Sequence, residues 1–129
     1  MRIRIKNGLP YVTATLVYHS QRATLKNVLL DTGSAGSIFS TDKIASIGLT
    51  YEPNDFVHRI RGIGGSEFVF TKRVDLLMAG DLMVEKFEIE IGAMNYGFDM
   101  DGIIGVDFLT KVGALIDLDR KQLISARKK

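Results

Sequence analysis

The chain of 129 residues contains no cysteine. This absence excludes disulfide bonds, thiolate catalysis and zinc sites with cysteine ligands, although it leaves the cellular compartment open. The formal net charge is only +2, so the composition gives no reason to expect a nucleic-acid partner. No apolar run approaches the roughly 20 residues that a membrane-spanning helix needs. We therefore expect a soluble chain without a membrane segment, either a cytoplasmic protein or a domain excised from a larger membrane-anchored parent.

Length and composition indicate one globular domain over residues 1–129. Apolar residues make up 46% and charged residues 25% of the chain, as in ordinary soluble proteins. The two histidines, His19 and His58, have no partner at metal-ligand spacing and are interpreted as surface residues. Asp99 and Asp101 lack the further oxygen ligands of a calcium site. We expect no metal and no cofactor.

Short segments with the two-residue alternation of β-strands follow one another along the chain. Asn7-Gly8 predicts a type I′ hairpin turn, because both residues tolerate positive φ angles. Short helices are expected over residues 42–47, ended by Gly48, and over residues 106–111. This succession predicts an all-β, closed β-barrel-like domain with one or two short helices. Strands are expected at residues 1–6, 11–18, 23–30, 57–61, 67–77, 83–91, 102–105, 114–118 and 122–125.

The tripeptide Asp31-Thr32-Gly33 ends the third predicted strand and occurs once. Hydrolysis of a peptide bond by two aspartates requires carboxyl groups close enough to share a proton, which drives their pKa values apart. The ionised aspartate takes a proton from water, and the protonated one polarises the scissile carbonyl. With one such aspartate per chain, a second copy of the chain has to supply the other.

The neighbours of Asp31 suit such a paired loop. Gly33 has no Cβ to obstruct the approach of two symmetry-related loops. Thr32 has a hydroxyl suited to tie one loop to the other, and Ser34 is expected to donate a hydrogen bond to Asp31. Alone, the tripeptide could be only a turn, since a given tripeptide occurs by chance in roughly a few per cent of chains of this length.

A glycine-rich segment, Gly62-Ile63-Gly64-Gly65, separates two predicted strands. A phosphate-binding loop would need a following Gly-Lys-Ser/Thr, which the sequence lacks. The segment is therefore interpreted as a hairpin tip, either a plain connection or a flap over a binding groove. Phe68 and Phe70 share one face of the next strand and are expected in the core or at the base of a flap.

Three motifs occur in order: Leu-Leu-Asp-Thr-Gly-Ser at 29–34, the glycine-rich tip at 62–65 and Asp-Gly-Ile-Ile-Gly at 101–105. Together they resemble the retropepsin family, the single-lobe aspartic proteases of retroviruses and their cellular and bacterial relatives. The resemblance spans nearly the whole chain. It implies a homodimeric aspartic endopeptidase that binds an extended peptide or protein substrate.

The resemblance also implies roles for single residues. Asp31 is implied as the catalytic aspartate, and Thr32, Gly33 and Ser34 as the support of its loop. Apolar walls of substrate pockets are implied for Ile103 and Ile104. The implied flap consists of Gly62, Ile63, Gly64 and Gly65.

Two places depart from the viral pattern. Viral members usually carry an aspartate shortly after Asp-Thr-Gly and an arginine after Ile-Ile-Gly, paired across the dimer interface. Here Ala35 and Val106 occupy those places, and both chain ends are basic, which opposes the interleaving of chain ends found in the viral family. Ser34 resembles the two-lobed pepsins instead, which indicates an acidic optimum.

The alternative is a non-catalytic peptide-binding or dimerisation module on the same scaffold. The intact Asp31 favours catalysis, because two unneeded carboxylates at a two-fold axis would destabilise the dimer by repulsion.

Overall fold

The computed structural model describes residues 1–62, 65–95 and 99–127, and this part of the chain is mostly β with two short helices. Of the predicted all-β, closed barrel-like architecture, the predominance of strands and the short helices are confirmed. Within the described residues, no helix combines the length and the apolar character needed to cross a membrane. The helices are α1 Thr41–Ile44, which continues as a 3-10 turn at Ala45–Ile47, and α2 Val106–Val112. The strands are β1 Arg4–Lys6, β2 Leu9–Tyr18, β3 Gln21–Leu30, β4 Ile38–Ser40, β5 Val57–Gly62, β6 Gly65–Ala79, β7 Leu82–Gly92, β8 Gly102–Ile104, β9 Ala114–Asp117 and β10 Gln122–Ser125.

The turns follow the local chemistry of the sequence. Asn7 and Gly8 connect β1 to β2 with φ angles of 52° and 76°, as a type I′ turn requires. Gly48 ends the first helical segment with a φ of 88° and donates its N–H to the carbonyl oxygen of Ala45 at 3.0 Å. The left-handed conformation at this position is favourable only for glycine and a few polar residues.

The main sheet has the strand order β1-β2-β3-β8-β4-β7-β6-β5, and β2 additionally pairs with β6. Two of the pairings are parallel, namely β3 with β8 and β4 with β7. Because β3 and β8 are parallel neighbours, the chain segments that follow β3 and β8 leave the sheet at the same end. The first of these segments begins with Asp31, and the second begins with Gly105.

Strand β4, residues Ile38–Ser40, was not predicted from the sequence. It pairs with β8 on one side and with β7 on the other. All three of its residues are buried. Three residues are too few to show an alternation, so only the tertiary contacts identify this strand.

Two apolar clusters lie on opposite faces of β3, β4 and β8. The main cluster includes Phe39, Phe108, Leu16 and Ile104, all with no exposed surface. Phe87 packs edge-on against Phe108 at a centroid distance of 6.0 Å, a favourable aromatic geometry. The smaller cluster consists of Tyr11, Leu29, Ile38, Val69, Met94, Met100 and Ile103, with Leu9 and Ile60 packed against it.

The first residues of the chain pair with the final hairpin. Ile3 donates its N–H to the carbonyl oxygen of Lys121, and Leu123 donates its N–H to that of Met1, both at 2.8 Å. On its other side β10 pairs with β9. Within the described residues, both edges of β10 are therefore occupied by segments of the same chain.

Candidate active site

Asp31 lies at the carboxyl end of two parallel strands. Leu29 and Leu30 of β3 pair with Ile103 and Ile104 of β8, and Asp31 continues this ladder by donating its N–H to the carbonyl oxygen of Ile104 at 3.0 Å. Beyond this point the chain turns away from the sheet, and the Asp31 side chain is only partly buried. A carboxylate is thereby held by rigid strands yet remains accessible to a substrate.

The loop between β3 and β4, residues 31–37 (the Asp31 loop), orients the carboxylate of Asp31. Gly33 donates its N–H to Oδ1 of Asp31 at 2.9 Å, and Ser34 donates its N–H to the Asp31 carbonyl oxygen at 3.1 Å. A Cβ on Gly33 would lie 3.1 Å from Asp31 Oδ1, so a larger residue would press on the carboxylate. Thr32 and Gly33 are exposed.

Ser34 differs from its prediction. Its hydroxyl was expected to donate to Asp31, but Oγ donates instead to the carbonyl oxygen of Gly36 at 2.7 Å. The Ser34 carbonyl oxygen accepts the N–H of Val106 at 2.8 Å. Ser34 thus closes the turn of the loop through Gly36 and ties the loop to α2. The predicted hydrogen bond from the Ser34 hydroxyl to Asp31 is not formed.

A buried polar junction fixes the loop to the start of α2. Ser37 has no exposed surface; it donates its hydroxyl to Oδ1 of Asp107 at 2.8 Å and its N–H to Oδ2 at 3.1 Å. The N–H of Gly105 donates to Ser37 Oγ at 3.1 Å. A Cβ on Gly105 would lie 2.6 Å from the carbonyl oxygen of Ser34 and closer still to that of Gly36.

Sequence reasoning missed Ser37 and Asp107. Their side chains lie 70 residues apart in the chain, and neither belongs to a recognised motif. Gly105 was included in the Asp-Gly-Ile-Ile-Gly motif, but its role as the contact point for the Asp31 loop emerges only from the packing.

The two candidate pocket residues lie on opposite faces of β8, as the alternation of a strand requires. Ile103 belongs to the smaller apolar cluster with Leu29, Ile38 and Ile60, on the side of the β5–β6 hairpin. Ile104 has no exposed surface and packs in the main cluster. The prediction of a pocket wall is therefore wrong for Ile104, which belongs to the core, and we retain it for Ile103.

The predicted flap corresponds to the end of the β5–β6 hairpin. Gly62 and Gly65 form the last pair of its ladder, while Ile63 and Gly64 lie outside the described residues. Ile60 of β5 packs against the smaller apolar cluster, which links the hairpin to Ile103. Phe70 packs against the main cluster, as predicted, but Phe68 is 64% exposed beside Arg59.

An ionisable pair beside the loop was not predicted. His58 of β5, interpreted from the sequence as a surface residue, is half-buried, and its Nε2 lies 3.2 Å from Oε2 of Glu90 on β7. Its Nδ1 is buried and has no hydrogen-bond partner among the described residues. His58 therefore belongs to the neighbourhood of the site instead of the open surface.

Asp101 has a structural role. Its Oδ2 accepts the N–H of Asn27 at 3.0 Å, and Oδ1 lies 3.6 Å from Nζ of Lys43. These contacts stabilise the buried carboxylate at the start of the Asp-Gly-Ile-Ile-Gly motif. Within residues 1–62, 65–95 and 99–127, no group of three or more histidine, aspartate or glutamate side chains has a metal-binding arrangement.

A family model described as aspartyl protease matches residues 17–108 of the chain. The matched range contains the Asp31 loop, the β5–β6 hairpin and the first residues of α2. No curated protein sequence matches the chain.

Proposed function

Since the chain belongs to the aspartyl protease family, of the retropepsin-like kind, we propose that it is an aspartic endopeptidase that acts as a homodimer. Each subunit contributes one Asp31 carboxylate, and the two carboxylates activate one water molecule between them. The observation that carries the proposal is the geometry of Asp31, a partly exposed carboxylate oriented by the N–H of Gly33 and placed directly after the buried end of β3.

The chemistry requires no cofactor. Two neighbouring carboxyl groups cannot both ionise, so the pair holds one proton. The ionised Asp31 removes a proton from water as it attacks the scissile carbonyl, and the protonated Asp31 of the second subunit donates a hydrogen bond to the carbonyl oxygen. Thr32, exposed next to Asp31, is proposed to bond across the dimer interface.

The substrate is proposed to lie in extended form between the Asp31 loop and the hairpin tip, which acts as a flap at residues 62–65. Ile103 and the rest of the smaller apolar cluster form the wall that receives apolar side chains next to the scissile bond. The pairing of β2 with β6 supports the closed, barrel-like form of the domain.

Replacing Asp31 by asparagine tests the proposal. The amide cannot act as a general base, so we expect kcat/KM for an unstructured protein substrate to fall by about 10²–10⁴-fold or more. The side chain is nearly isosteric and partly exposed, so the circular dichroism spectrum and the molar mass in solution should not change. Asp119→Asn, in the exposed β9–β10 turn, is the matched control and should retain parental cleavage.

An Asp31→Asn variant that cleaves at the parental rate would show that the proposal is wrong. Peptide binding without turnover by the parent, under acidic to neutral conditions in which the dimer persists, would favour the non-catalytic module instead.

A further inference from the structure

Glu90 of β7 brings a second carboxylate to the Asp31 loop. Its backbone N–H donates to the carbonyl oxygen of Ser37 at 2.9 Å, which fixes β7 beside the loop. Its side chain extends over Gly36, where a Cβ would come within 2.5 Å of Glu90 Oε1. The glycine at position 36 thus leaves the space that this carboxylate occupies.

Glu90 faces the same side as the proposed pocket. Its neighbours on the strand, Ile89 and Ile91, are fully buried in the main cluster, so the strand alternation directs Glu90 to the opposite face. Its partner in the parallel register is Ile38, which packs with Ile103 in the smaller cluster. The carboxylate therefore borders the apolar wall at the edge nearest the Asp31 loop.

One oxygen of Glu90 remains available. Oε2 meets His58 Nε2 at 3.2 Å, whereas Oε1 accepts no hydrogen bond from the residues that the structure describes. The Glu90 side chain is 24% exposed, so a ligand can reach it. The surrounding protein already removes part of the hydration shell of the carboxylate. A carboxylate in this state binds a cation more strongly than an exposed one does.

A second acidic residue lies on the face that carries Glu90. Glu67 of β6 lies on the same face, and its Oε2 accepts the N–H of Met94 at 3.2 Å. Among the described side chains, His58 is the basic group that contacts Glu90, and it does so through Oε2. Among the side chains that the structure describes, this face beneath the hairpin carries the carboxylates of Glu67 and Glu90 and the imidazole of His58.

We propose that Glu90 is a specificity-determining residue that selects a lysine or arginine side chain of the substrate, at a position flanking the apolar residues next to the scissile bond. The inference rests on the proposed protease function for its place in the groove. The ammonium or guanidinium group donates to Glu90 Oε1 above Gly36. Extended peptides with apolar residues at the cleaved bond and a basic residue nearby are the preferred substrates.

The test uses a set of peptides with a constant apolar centre and lysine, alanine or glutamate at each flanking position in turn. For the parent we expect kcat/KM for lysine to exceed that for alanine by about 10-fold or more at one position, the size expected for one charge-assisted hydrogen bond. In Glu90→Gln this ratio should fall to near one, and in Glu90→Lys the preference should shift to glutamate. The control is Glu88→Gln, which should keep the lysine preference. Glu88 lies two residues from Glu90 on the same face of β7, but it is exposed.

Equilibrium binding of the same peptides to Asp31→Asn, with and without Glu90→Gln, separates this inference from the proposed function. A parent that cleaves no peptide, combined with a lysine preference in binding that depends on Glu90, would overturn the protease function and support the role of Glu90. Cleavage without any lysine preference, or a preference that survives Glu90→Gln, would overturn the role of Glu90 and leave the protease function intact.

Discussion

At the residue scale, the hydroxyl of Ser37 joins two segments that meet only in the folded chain. It donates to Asp107 and accepts the N–H of Gly105, so one small buried side chain connects the loop of Asp31 to α2. A buried donor that loses its partner carries a desolvation penalty that no water relieves. The geometry of Asp31 therefore depends on a residue six positions away from it in the sequence.

Replacing Ser37 by alanine should destabilise the fold and reduce activity. The N–H of Gly105 and the carboxylate of Asp107 would each lose a hydrogen-bond partner, at an expected cost of about 1–3 kcal/mol in the free energy of unfolding. Urea titration measures this loss, and the peptide assay measures the accompanying decrease in kcat. Unchanged stability would contradict the structural role assigned to Ser37.

Ser46→Ala is the control for this change. Ser46 is exposed in the 3-10 turn after α1, and exposed substitutions of this kind usually alter stability by about 0.5 kcal/mol or less.

Some residues of the site could be predicted from the sequence and others could not. Asp31 and Gly33 were predictable, because an apolar strand that ends in Asp-Thr-Gly is a local pattern and its chemistry requires these residue types. The contacts of Ser37 with Asp107 and of Glu90 with Gly36 join segments distant in the sequence, and polar residues of these types occur throughout the chain. Only the strand order brings them together.

At the element scale, local signals placed most strands and both helices within a few residues of their observed bounds. Turn residues such as Asn7-Gly8 and Gly48 fix backbone angles without help from the rest of the fold. Strand β4 was missed because its three residues owe their extended conformation to β7 and β8 on either side. Likewise, Ile103 and Ile104 could be assigned to different apolar clusters only because the structure shows that both faces of β8 are covered.

The loop between the 3-10 turn and β5 is attached to β6 by an ion cluster. Lys72 of β6 is 7% exposed; it is paired with Glu52 and lies 3.0 Å from Asp55 Oδ2. Burial alone would raise the pKa of Asp55, but the hydrogen bond from the Glu52 N–H and the hydrogen bond and charge of Lys72 lower it below its ordinary value. Burial alone would lower the pKa of Lys72, but its bonds to Glu52 and Asp55 raise it.

These shifts predict an acid-sensitive contribution to stability. A carboxyl group with a lowered pKa in the folded state stabilises the fold above its ordinary pKa of about 4, and this contribution is lost as the pH falls through the lower folded value. We expect the urea midpoint of the parent to decrease over this acidic range more steeply than that of Asp55→Asn. The raised pKa of Lys72 affects only the alkaline limit, where its contribution is lost as the pH rises through the folded value.

Glu52→Gln is the comparison for the acid limb. The Glu52 side chain is 63% exposed, and an exposed partner of an ion pair contributes little, so this variant should retain most of the parental pH dependence. Identical acid limbs for the parent and Asp55→Asn would contradict the assignment to Asp55.

At the scale of the whole molecule, the pairing of the chain ends bears on how two copies associate. Repulsion between the basic chain ends disfavours the interleaved sheet of the viral family. The strand pairing at the chain ends disfavours it as well. Both edges of β10 are already paired, one with β9 and one with the first residues of the same chain. An interleaved sheet would first have to break these bonds, so a dimer that keeps them has to form through other surfaces.

The proposed dimer makes a prediction that does not depend on which surface is used. If each active site needs an Asp31 from both subunits, a heterodimer of parent and Asp31→Asn is inactive. A tenfold excess of the variant, after subunit exchange, should leave roughly a tenth of the parental activity, because random pairing of equal interfaces places most parent chains with variant partners. The measurement is the peptide-cleavage rate at a fixed parent concentration high enough for the dimer to form. A double variant, Asp31→Asn with Asp119→Asn, should inhibit equally, whereas excess Asp31→Asn that leaves the rate unchanged would mean that one chain carries a complete active site.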